Sequence, residues 1–69
     1  MTIETLAAEF ANLYRATKIA QGLVCSNLEV AVRFATEAMV SDCLRSSNPL
    51  ALLADEVAFQ RECLEKLAA

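Results

Sequence analysis

Histidine and tryptophan are absent from this 69-residue chain, and glycine and proline occur once each. Each scarcity excludes something. Without histidine there is no unperturbed side chain that titrates near neutrality and serves as a general base, so a cysteine nucleophile lacks its usual activator. With a single glycine there is no Gly-rich loop to cradle a phosphate. One glycine and one proline also leave only two internal punctuation marks, with no linker, repeat or low-complexity stretch. No apolar run reaches the roughly 18 residues of a membrane span; the longest candidate, from Ile19 to Cys25, is interrupted by Gln21 and Gly22.

Cysteine is present but badly arranged for a staple. Cys25, Cys43 and Cys63 are an odd number at wide spacing, without a CxxC pair. A closed zinc site requires four ligands and shows Cys or His in close pairs, while a disulfide framework would leave one thiol over. No signal peptide is read at the start of the chain, so the expectation is a cytoplasmic protein with reduced thiols. The carboxylates fall in no recognisable metal or acid–base pattern, and the expectation is a non-enzymatic chain with no catalytic residues, metal or cofactor.

The net charge of −3 and the pI near 4.7 disfavour phosphate backbones, which are held by clustered Lys and Arg. The basic residues Arg15, Lys18, Arg33, Arg45, Arg61 and Lys66 are scattered among acids. Neither nucleic acid nor membrane is an expected partner.

What the chain has in surplus is apolar side chains, 57% of the residues, where an ordinary domain shows about 45 to 50% even with glycine counted. There is room for one domain, residues 1–69, and a chain of this length buries only about 60% of the surface its unfolded form exposes. Small domains compensate with disulfides, a metal or oligomerisation, and the first two are unsupported. The surplus is therefore expected to face protein: first a second copy of the chain, then a larger protein.

The patterning predicts an all-α fold, an antiparallel bundle of three helices over about 3–21, 27–46 and 49–68. Thr2 stands as a cap ahead of Ile3, Leu6, Phe10, Leu13, Thr17 and Ala20, which recur at helical spacing. Gly22 falls where a left-handed residue ends a helix. Ser26 and Glu29 are spaced as a capping box, with Cys25 and Val30 placed as a hydrophobic staple. Ser46 and Ser47 read as a turn, and Asn48–Pro49 as an Asx cap followed by proline at the first helical position. Asp55 and Glu56 early in the third helix and Lys66 near its end suit the helix dipole. Leu50, Leu53, Val57, Leu64 and Leu67 are expected to line the inner face, interrupted by Gln60.

The middle helix is apolar around too much of its circumference. Leu28, Ala31, Val32, Ala35, Met39 and Cys43 form one stripe; Val30, Phe34 and Ala38 form a second. A helix greasy on most sides is normally interior, and no helix of a three-helix monomer is surrounded. A homodimer packed across a twofold axis buries both stripes. Leu28, Val32, Phe34, Ala35, Met39 and Cys43 are accordingly expected in the core or dimer interface. Val40, Leu44, Leu52, Phe59 and Tyr14 are the candidates for contact with a larger partner, Phe59 foremost because aromatics are over-represented among interface hot spots.

The expected function is that of a small non-catalytic regulatory module, a homodimeric inhibitor, anti-activator or adaptor. Two other readings stand beside it: an obligate structural subunit or secretion-type chaperone, and a cysteine-based redox switch.

Overall fold

The computed structural model describes residues 2–23 and 26–68. Its regular structure is helical: α1 (Ile3–Ala20), α2 (Leu28–Leu44) and α3 (Pro49–Ala68) pack against one another.

The helix ends follow from local chemistry. The Thr5 amide donates to the Thr2 hydroxyl oxygen at 3.1 Å, satisfying one of the free N–H groups of α1's first turn. At the other end Gly22 adopts φ +78°. Its amide donates to the Ile19 carbonyl, and the Leu23 amide to that of Lys18, the paired bonds of a Schellman stop. Asn48 restarts the chain: its side-chain oxygen accepts from the Ala51 amide at 3.3 Å, and Pro49 opens α3.

Two expectations at helix ends need correction. Asn27, not Ser26, is the N-cap of α2, and it makes no side-chain cap bond. The Glu29 carboxylate is instead taken by Arg15 of α1, whose Nε and terminal nitrogen donate to both oxygens at 2.7 and 2.8 Å. A forked guanidinium–carboxylate pair outcompetes one bond to a frayed amide, so the capping box does not form; Cys25, the other half of the staple, lies outside the described residues. Asp55 and Glu56 lie beyond the first turn of α3, which carries no acid, and the dipole effect does not reach that far.

The core is small. Leu6 and Phe10 of α1, Cys43 of α2, and Leu53 and Val57 of α3 form one buried cluster, with Ile3, Leu13, Tyr14, Met39 and Val40 packed around it. Each fully buried aliphatic or aromatic side chain here stabilises the fold by about 1.5–3 kcal/mol. Thr17 is the buried polar residue, and its hydroxyl donates to the Leu13 carbonyl at 2.8 Å, so it adds no unsatisfied group. Val32 is buried outside the main cluster.

The three helix pairs are not equal. α1 and α3 share the most extensive contact, and α2 and α3 the least. Glu9–Arg61 ties α1 to α3 at 2.8 Å, and Arg15–Glu29 ties α1 to α2. No ion pair joins α2 to α3 among the described residues. The middle helix therefore leans more on α1 than on α3, which it meets through Cys43. Leu50 and Leu67, expected inside, are exposed: they sit one near each end of a 20-residue helix, outside the stretch that buries Leu53 and Val57 in the core.

Candidate functional site

Helical geometry sorts α2 into an inner and an outer side. Val32 and Cys43 are buried, and Leu28, Ala35 and Met39 half-buried, so the first apolar stripe faces inward apart from exposed Ala31. The second stripe is left in water. Val30 and Ala38 are exposed, and Phe34 is 61% exposed, with the Arg33 guanidinium 6.0 Å from its ring centroid. Leu44, near the end of the same helix, is exposed as well. Residues 30, 34, 37, 41 and 44 share one face by their spacing, which mixes these apolar groups with Glu37 and Ser41.

A second exposed line runs along α3. Leu52, Glu56, Phe59 and Cys63 fall at successive steps of four, three and four, one face of a helix. Leu52 is 43% and Phe59 58% exposed, and Cys63 is half-buried. The upper part of this line borders a cleft of ≈ 400 Å³ between α2 and α3, lined by Met39, Asp42, Cys43, Leu52 and Glu56. Its floor is apolar and sulfurous, the Cys43 and Met39 sulfurs lying 3.7 Å apart. Its edge carries two carboxylates.

Those carboxylates leave an electrostatic trace on Cys43. Burial pushes its thiol above the ordinary 9.0, and the negative charges of Glu56 and Asp42 push in the same direction. A thiol held protonated in this way is a slow nucleophile. Cys43 and Cys63 are free thiols; Cys25 lies outside the described residues.

Two of the expected partner contacts turn inward. Val40 packs against the core, and Tyr14 stacks on Phe10 with ring centroids 5.8 Å apart, the Lys18 ammonium covering its ring at 5.1 Å. Leu44, Leu52 and Phe59 remain outside. Sequence reasoning missed a groove of ≈ 490 Å³ between α1 and α2, walled by Ala7, Ala8 and Ala11 over Val32 and closed by the Arg15–Glu29 pair. The alanines at 7 and 11 are one helical turn apart and carried that signal. It also missed exposed Ile19 and Leu23, which flank the Gly22 turn.

Among the described residues no group of three or more metal-ligating side chains lies close enough to hold a metal ion, and no described helix is long and apolar enough to cross a membrane. Comparison with protein-family models, curated proteins and solved structures returns no match.

Proposed function

We propose that this chain is a non-catalytic protein-binding module that pairs with a second copy of itself and then acts as an inhibitor, anti-activator or adaptor on a larger protein. The observation that carries the reading is the outer face of α2, where Phe34 is 61% exposed on a helix whose opposite side is already committed to the core. Nine large apolar side chains are exposed among the described residues. Scattered singly they would need no explanation. Val30, Phe34 and Leu44, however, share one face of α2, and Leu52 and Phe59 one face of α3.

The outer face of α2 suits a twofold pairing. Its apolar groups are interleaved with Arg33 and Glu37, one charge of each sign, so two copies meeting there need not set like against like. The module works in the cytoplasm in this reading, supported by the free thiols Cys43 and Cys63.

Sedimentation equilibrium over a dilution series tests it, with Phe34→Asp beside the wild type. The wild type is expected to be dimeric at micromolar concentration. The variant is expected to keep its helical circular dichroism and to lose about 2 kcal/mol or more of association, the scale of an interface hot spot. A cooperatively folded wild type that stays monomeric throughout overturns the self-pairing.

A further inference from the structure

The cleft between α2 and α3 differs from the outer face of α2 in the sign of its surroundings. Asp42 and Glu56 line its mouth, and Asp55 adjoins Glu56 in sequence. None of the three has a Lys or Arg within ion-pair distance among the described residues. Five of the six basic side chains are committed elsewhere: Arg15 to Glu29, Arg61 to Glu9, Lys66 to Glu62, Lys18 over Tyr14 and Arg33 over Phe34; the sixth, Arg45, follows Asp42 by three residues at the end of α2 and makes no ion pair among the described residues. The cleft thus combines an apolar floor, an apolar line continuing to Phe59, and two carboxylates that make no ion pair among the described residues.

We infer that this cleft receives a basic amphipathic helix of the partner protein, with an aliphatic anchor between Met39 and Leu52 and Lys or Arg side chains opposite Asp42 and Glu56. The inference rests on the protein-binding reading above and supplies the chemistry of the partner. A helix laid in a groove is read through anchors one and two turns apart, the spacing at which Leu52, Glu56 and Phe59 are offered. A second copy is a poor occupant, because twofold pairing here would bring Asp42 and Glu56 against their own counterparts. A free small molecule would leave the Phe59 end of the line uncovered.

The test titrates the full chain into two dye-labelled peptides, each about five helical turns long and built from leucine at core spacing, with lysine in one and glutamate in the other. Fluorescence anisotropy is expected to show binding of the lysine peptide, weakened by added salt, and none of the glutamate peptide. Asp42→Asn with Glu56→Gln should weaken the lysine peptide roughly three- to tenfold, the scale of two exposed charge pairs. Glu4→Gln with Glu65→Gln, which removes the same net charge away from the cleft, should leave it unchanged. Amide shift changes should centre on Met39, Leu52 and Phe59.

Equal binding of both peptides, equal weakening by both double variants, or shifts centred on Ala7 and Ala11 would overturn the inference. So would self-association strengthened by Asp42→Asn with Glu56→Gln, which would mark the cleft as the contact between copies. Sedimentation of the same samples separates the two readings: a dimer that ignores the lysine peptide sinks the cleft inference alone, and a monomer that binds it sinks the self-pairing alone.

Discussion

Leu52 and Leu53 are adjacent and chemically identical, yet Leu53 is 1% exposed and Leu52 43%. The first faces the seam between α1 and α3, the second borders the cleft between α2 and α3. The seam is built from Leu6, Phe10, Leu53 and Val57 and tied by Glu9–Arg61. The cleft has apolar walls of similar kind, with Met39 and Leu52, but two carboxylates where the seam has an ion pair. The apolar side chains of the seam are buried against one another, whereas Leu52 in the cleft is left in water. Three helices close one seam well and leave a cleft at the second.

The sharpest way to break that comparison is to truncate both leucines. Leu53→Ala removes a fully buried side chain and should cost about 2–5 kcal/mol in urea unfolding, whereas Leu52→Ala should stay within about 0.5 kcal/mol, as surface changes do. Similar losses from both would mean that the cleft is part of the core. A smaller effect is expected at Gly22. A side chain there would meet nothing within 4 Å, so only its φ of +78° opposes substitution, and Gly22→Ala should lower stability by about 1–2 kcal/mol. A neutral result would show that the Schellman turn does not hold α1 and α2 in place.

The smallest effect is at Cys43, where seam and cleft meet. Its thiol is raised by burial first and by Glu56 and Asp42 second. Deprotonation therefore favours the unfolded chain: the contribution is complete below the unfolded value, near 9.0, and is lost as pH rises through the folded one. The thermal midpoint of the wild type should fall more steeply above that pH than that of Cys43→Ala. Parallel curves would place the thiol in water.

Most of the helix boundaries are legible in the residues because caps are local: Thr2, Gly22 and Asn48–Pro49 each act within a few positions of themselves. Glu29 is the exception. Three residues after a serine it has the look of a capping partner, and nothing nearby reveals that Arg15 claims it. The two-sided greasiness of α2 is equally legible, since helical phase separates Val32 and Met39 from Val30 and Phe34. Phase does not assign flanking positions. Tyr14 and Val40 stand at the edge of their stripes, and the tilt of a neighbouring helix decides whether an edge residue is covered. The cleft is invisible in the sequence for the same reason, because Asp42 and Glu56 are brought together only by the packing of α2 on α3.

The forked bond from Arg15 carries one more implication. The opening turn of α2 is anchored by a residue belonging to another helix, and its own cap position offers no substitute. Cut out or grafted elsewhere, that helix leaves behind the partner of Glu29, and shortening α1 before Arg15 removes the same pair.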